Sequence, residues 1–310
     1  MPEPILHHYP MSPFSEKVRL ILGLKKLRWQ SVIIPVIMPK DDVVALTGGY
    51  RKTPILQIGA DIYCDSALIA DVLDELHPAP ALYPEAGGAE ARILAQWADS
   101  TLFWTAMPYA FQPTTMRELF GNVPPEHAQA FLADRKPFAA GAPRMGPAEA
   151  TGALLVYLER FAGMLADGRP YLLGAVPTIA DFSAYHPLWF IRRAPSAAGI
   201  LARHPRVVEW MDQVAGVGHG ASTTISSADA IASARTGAHG ARVFVPFQDT
   251  HGIAPGEPVT IAAADYGMDP VAGELVLSAP NELALRRTDP RAGEVIVHFP
   301  RVGFRLARAA

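Results

Sequence analysis

Cysteine is almost missing from this chain: Cys64 stands alone among 310 residues. No intrachain disulfide can form, and a reducing compartment, the cytoplasm, is the expected home. Charge of one dominant sign is missing too. The formal net charge is -3, with no basic run and no acidic tail, so nucleic acid is not an expected partner. No uninterrupted apolar run reaches the ~20 residues that span a bilayer. Met1-Pro2-Glu3-Pro4 lacks the basic start of a secretory leader, so neither membrane insertion nor export is expected. The ten histidines are scattered without H-x-x-x-H spacing, and a lone cysteine excludes C-x-x-C, so no metal site is read. His7 and His8 sit side by side on a strand, where their rings must point to opposite faces.

What is present is apolar and globular. Half the residues are hydrophobic and 18% charged, in a chain long enough for two or three domains. Residues 5–8 read as a strand and 14–24 as a helix. Phe14, Val18, Ile21 and Leu22 share one helical face there, while Lys17, Arg19 and Lys25 are expected elsewhere. A second strand over 29–34 ends at Pro35, and a short helix spans about 40–46. Residues 55–58 and 62–64 form a hairpin around Gly59-Ala60-Asp61, and a helix over 66–76 ends at His77-Pro78. One α/β domain, residues 1–78, is expected.

The stretch 78–88, rich in proline, alanine and glycine, reads as a linker. An all-helical domain, 89–237, follows, with helices near 89–111, 125–140, 147–166, 178–194, 204–215 and 226–235. Pro187 should kink or interrupt the fourth of these. Over 240–310 the pattern changes to period two, in Val243-Val245-Phe247, Val259-Ile261-Ala263, Leu275-Leu277, Leu283-Leu285 and Val295-Val297-Phe299. That predicts a small all-β, barrel-like module.

Three short features carry chemistry. Ser12 precedes Pro13, and proline favours the first helical position, so Ser12 caps a helix with its hydroxyl at the positive end of the dipole. A hydroxyl and free amides there suit a bound thiolate, although a capping serine needs no second role. Tyr9 and Ser15 are near rivals for the same hydrogen bond. Thr53-Pro54 opens a strand; a cis bond would turn the Thr53 amide and carbonyl toward an extended peptide, and a trans proline is the ordinary alternative. Asp65-Ser66 begins a helix directly after a strand, suiting the carboxylate and amino group of an α-amino acid, or simply a cap. Thr178-Ile179-Ala180-Asp181 is a capping box, read as structural, and Cys64 reads as packed rather than reactive.

Ser-Pro-Phe-Ser-Glu-Lys-Val-Arg-Leu (12–20), Thr-Pro-Ile-Leu (53–56) and Asp-Ser-Ala-Leu-Ile (65–69) together resemble the cytosolic glutathione transferase superfamily of serine or cysteine type. Thr-Ile-Ala-Asp-Phe (178–182) and His-Pro-Arg-Val-Val-Glu-Trp (204–210) do so as well. The resemblance covers about residues 3–220 and implies a thioredoxin-like N-terminal domain followed by an all-helical domain. It implies glutathione as co-substrate, Ser12 at the catalytic position, Thr53 on the cysteinyl backbone beside a cis Pro54, and Asp65 and Ser66 on the γ-glutamyl end. Lys40 is a candidate for the glycyl carboxylate. A small apolar electrophile is the implied partner, held between the domains near Trp97, Phe103, Trp104, Tyr109 and Phe111, and a homodimer is the implied assembly. Arg92 and Asp71 lie on helices that could face one another. Two departures stand out: Gly48-Gly49-Tyr50-Arg51-Lys52 replaces the commoner Asn-Pro-x-Gly-x loop, and the 240–310 module lies outside the ordinary two-domain transferase. A GST-like protein that binds ligands or partners through that module, without turnover, is the alternative. A thiol reductase is disfavoured, since Ser12 stands where a cysteine nucleophile is needed.

Overall fold

The computed structural model describes residues 2–121, 124–142, 145–239, 247–248 and 250–309, with the backbone alone at Phe120, Pro125 and Ala128. The first segment runs β1 (Ile5–His8), α1 (Pro13–Leu24), β2 (Arg28–Ile33), α2 (Asp41–Thr47), β3 (Ile55–Ile58), β4 (Asp61–Cys64) and α3 (Ser66–Leu76). β1 pairs parallel to β2 and antiparallel to β3, which pairs antiparallel to β4. This is the thioredoxin-like order. Because side chains alternate across a strand, the sheet feeds two cores. Leu6, Leu56, Ile58 and Tyr63 point into one, with α1, α3 and the helical domain. Ile5, Ile55, Ile62 and Cys64 point into the other, with α2.

The helical domain comprises α4 (Gly88–Trp97), a π-helical turn (Ala98–Leu102), α5 (Phe103–Ala110), α6 (Pro113–Phe120), α7 (Pro125–Phe138), α8 (Pro147–Met164), α9 (Ile179–Arg192), α10 (Pro195–Ala198) and α11 (Pro205–Ala215), whereas α12 (Ser227–Thr236) packs on α2 and β2 in the second core. The single helix expected over 89–111 is thus divided by a wider turn. Pro187 does not interrupt α9. That helix begins at a capping box whose Asp181 carboxylate accepts from the Thr178 amide at 2.9 Å, the Leu172 amide at 2.8 Å and the Trp210 indole at 2.9 Å. No helix among the described residues is long and apolar enough to cross a membrane.

Helix α1 departs from the sequence reading. Lys17, Arg19 and Lys25 are buried, Lys17 completely. The helix lies between α3 on one side and α9 on the other, so no face is left to solvent. Each cation therefore has a carboxylate partner: Lys17 with Asp99 (2.5 Å), Arg19 with Glu16 (2.6 Å) and Lys25 with Asp74 (2.5 Å).

The last strands are β6 (Pro258–Ala263), β7 (Val271–Ser278), β8 (Glu282–Asp289), β9 (Gly293–Pro300) and β10 (Phe304–Arg308). β6 to β9 form an antiparallel meander, and β10 pairs with β6 rather than with β9. In a flat sheet β9 and β10 would stand four strand spacings apart, about 19 Å. Residues 301–303 bridge them, a connection that reaches at most about 14 Å, so the meander must curl into a barrel-like form. β9 also pairs parallel to β4, in register Asp61 to Ile296, Ile62 to Val297 and Tyr63 to His298. One ten-stranded sheet results, ordered β10-β6-β7-β8-β9-β4-β3-β1-β2-β5. Val259, Val271, Leu285 and Val297 join the second core beneath the N-terminal domain.

Four elements have no counterpart in the sequence reading: α6, α10, β10, and β5 (Ala221–Thr224), which extends β2 in parallel. β5 has no buried residue, so it carries no apolar alternation to read. Of the strand expected at 243–247, residues 243–246 lie outside the described residues. Arg92 and Asp71 meet within the chain at 2.8 Å.

Candidate functional site

Ser12 caps α1. Its Oγ accepts from the Ser15 amide at 3.2 Å and its own amide donates to the Tyr9 carbonyl at 3.1 Å. Pro13 fills the first helical position, as the sequence predicts. The Tyr9 phenol lies where Ser12 and the Arg135 guanidinium of α7 both favour its ionised form. Burial pushes the Tyr9 phenol up, against the pull of Arg135 and Ser12. Of the two rivals to Ser12, Tyr9 is joined to it through the backbone, whereas the buried Ser15 Oγ has no hydrogen-bond partner among the described residues.

Lys40, just before α2, is 3% exposed. Its ammonium lies 3.4 Å from both the Thr53 hydroxyl and the Arg51 carbonyl, and 5.8 Å from the Tyr9 ring centre. Burial first, then the Arg135 charge, pulls Lys40 down to about 8 against Asp134. The Thr53-Pro54 bond is cis. Ser12, Tyr9, Lys40 and Thr53 thus form one connected group at the carboxyl end of β1 and the start of β3.

Asp65, rather than Ser66, caps α3: its carboxylate accepts from the Ala67 amide at 2.9 Å. Its φ of 78° is a conformation that non-glycine residues hold at a cost of about 1–3 kcal/mol, and such positions concentrate at ligand sites. Burial pushes Asp65 up, against the charges of Lys52 and Lys17 and the Ala67 amide. Ser66 instead accepts from Lys17 Nζ at 3.3 Å. Lys17 also holds Asp99, on the π-helical turn, and Asp99 Oδ1 pairs with His186 Nε2 at 3.1 Å. Burial opposes charge on Asp99, but Lys17 and His186 prevail and hold it below the usual carboxylate range. π-turns inside helices recur at functional positions, and this one carries the helical domain's link to Ser66.

The aromatic residues expected at the domain boundary divide. Trp97 packs on Tyr157 at 5.0 Å, Tyr109 donates to the Ala197 carbonyl at 2.9 Å and Phe111 lies on Phe190 at 5.5 Å, all inside the helical domain. Phe103 meets Phe14 of α1 at 4.7 Å, and Trp104 meets Tyr266 of the C-terminal module at 5.1 Å. Sequence reading missed Tyr266, Asp134, Arg135 and Lys17. For Lys17 a signal was present: it falls three residues after Phe14 and four before Ile21, on the same stripe.

Known proteins resemble this arrangement. A family model described as the glutathione S-transferase N-terminal domain matches residues 6–81, and one described as the C-terminal domain matches 148–213. A GST-like protein from Pseudomonas syringae superposes with TM-score 0.84 at 42% identity, over 100% of both chains. A glutathione S-transferase from Rhodospirillum rubrum superposes with TM-score 0.51 at 23% identity, over 68% of this chain and 87% of its own, a likeness of fold alone. A protein named probable maleylacetoacetate isomerase 1 from Drosophila melanogaster is 36% identical over 98 residues, 29% of this chain. That match spans 39% of the Drosophila protein's own length. Two matched domains in the expected order and one relative that runs the full length of the chain lead to a single assignment: this chain belongs to the glutathione S-transferase-like family.

Proposed function

We propose that the chain binds glutathione and transfers its sulfur to a small apolar electrophile. The observation that carries this reading is the connected group of Ser12, Tyr9, Lys40 and Thr53 at the start of α1 and β3. The Thr53 backbone pairs with the cysteinyl unit beside Pro54, and the Lys40 ammonium takes the glycyl carboxylate. Asp65 receives the γ-glutamyl amino group, and Ser66 with the first amides of α3 receives its carboxylate. The thiol then lies at the start of α1, where the Ser12 hydroxyl and the helix dipole favour the thiolate. The thiol proton passes to solvent. The sulfur lone pair forms a carbon–sulfur bond, and the leaving group departs with the electrons of the broken bond.

In this structure Ser12 is 2% exposed and its hydroxyl already accepts from the Ser15 amide. Binding on this reading requires that Arg135 and α7 draw back from Tyr9. The same burial favours a second reading, a non-catalytic member of the family that uses its C-terminal module for recognition. Ser12→Ala separates the two. For the enzyme, conjugation to chlorodinitrobenzene falls by about tenfold or more, as expected for loss of a group stabilising developing charge; for a binder, a low basal rate stays unchanged. A homodimer is part of the same proposal. The β4 edge already carries β9, so a second copy must seat elsewhere, and light scattering on the eluted protein reads the outcome.

A further inference from the structure

The loop between β6 and β7 reaches from the C-terminal module to the edge of the site just described. Tyr266, at its tip, has its ring centre 5.1 Å from Trp104 of α5 and 5.4 Å from Phe138 of α7. The Lys52 ammonium lies 3.8 Å from the Tyr266 ring centre and pairs with Asp265 at 2.6 Å. The loop is fastened to α7 through its backbone. Gly267 N–H donates to the Phe138 carbonyl at 2.8 Å, and a Cβ at Gly141 would lie 1.9 Å from the Asp265 carbonyl oxygen. Gly267 itself has φ of 57°, and a Cβ there would meet the Phe138 ring at 2.6 Å. The other side of α7 holds the opposite edge of the site: Arg135 donates to the Val36 carbonyl at 2.7 Å and Asp134 accepts from Arg51 at 2.7 Å.

Three rings from three separate segments therefore meet beside Lys52, the residue before Thr53. Trp104 and Tyr266 remain partly exposed. Trp104 packs against the first core, whereas Tyr266 belongs to neither core.

We propose that Tyr266 is a specificity-determining residue, forming with Trp104 and Phe138 an aromatic wall that receives a planar, electron-poor conjugated electrophile. The inference rests on the glutathione reading above and assigns the acceptor side of that site to the appended module. Flat conjugated acceptors stack on such rings, and the Lys52 ammonium supplies a cation for a nitro or carbonyl oxygen at the rim.

The test uses the full chain with Tyr266→Ala and Tyr266→Phe, glutathione and chlorodinitrobenzene. Tyr266→Ala raises KM for chlorodinitrobenzene by about fivefold, the loss of one aromatic contact, and leaves KM for glutathione unchanged; Tyr266→Phe keeps both. Equal KM for the electrophile in wild type and Tyr266→Ala, or a shift in both KM values together, overturns the proposal. Calorimetry with glutathione reads the parent proposal separately. Should wild type bind no glutathione, equilibrium dialysis of chlorodinitrobenzene alone still decides. Weaker retention by Tyr266→Ala supports the wall, and equal or absent retention overturns it.

Discussion

Lys52 donates to Asp265 at 2.6 Å, joining the loop before Thr53 to a segment 213 residues away. Its neighbours are committed in the same manner. Tyr50 lies 5.9 Å from Phe299 and 6.2 Å from Phe304, and Arg51 pairs with Asp134 of α7. Arg287 donates to the Ala45 carbonyl at 2.5 Å and fills the space beside Gly48 that a side chain would need. Gly48 to Lys52, the stretch that departs from the usual transferase loop, is thus one place where the C-terminal module and α7 both attach. Its composition follows from that docking.

Lys40 gives a pH dependence of binding. Burial and the Arg135 charge lower its value to about 8 in the free protein, and an incoming carboxylate favours the charged ammonium. Affinity for S-methylglutathione, which has no thiol to ionise, is therefore expected to hold below pH 8 and to fall above it. Calorimetry from pH 6.5 to 9.5 measures this, where Lys40→Arg, always charged, flattens the profile.

His298 ties β9 to the N-terminal domain. Its Nδ1 meets Glu282 at 2.6 Å, its Nε2 lies 3.4 Å from Asp61, and Tyr63 stacks on its ring at 4.5 Å; His239 approaches Asp61 at 3.2 Å and Glu294 at 3.6 Å. Burial opposes protonation, but the bonds to Asp61 and Glu282 prevail and hold His298 above its ordinary value. A histidine raised on folding stabilises fully below its unfolded value of about 6.5 and loses that contribution as pH rises through the folded value. Protection factors of the β9 amides, with the intrinsic base-catalysed rate divided out, should therefore fall toward alkaline pH, and His298→Asn should remove most of that fall.

Much of the first 80 residues was legible because its signals are local. Serine before proline marks the start of α1, short runs opening on paired apolar residues mark β1 and β3, and turn residues mark the hairpin at 59–61. What escaped reading depends on distant partners. The burial of Lys17 makes sense only with Asp99, 82 residues on, and the β4–β9 ladder joins strands more than 230 residues apart. Tyr266 is a single aromatic in a loop, with no periodicity to show where it points. The capping serine was visible at Ser12, whereas at α3 the neighbouring Asp65 took the cap and left Ser66 to Lys17.

Asp181 holds α9 and α11 together by accepting from two backbone amides, the Thr178 hydroxyl and the Trp210 indole. Asp181→Ala leaves those buried donors without an acceptor and is expected to cost about 3 kcal/mol or more. Urea unfolding monitored by tryptophan fluorescence measures the loss.

The most direct test of the account is the ionisation of bound glutathione, followed by thiolate absorbance against pH in wild type and in Ser12→Ala. The expected result is a bound thiol that ionises below the free value of about 8.5 and moves back toward it when the Ser12 hydroxyl is removed. A bound thiol with the same value in both proteins, or no binding at millimolar glutathione, contradicts it.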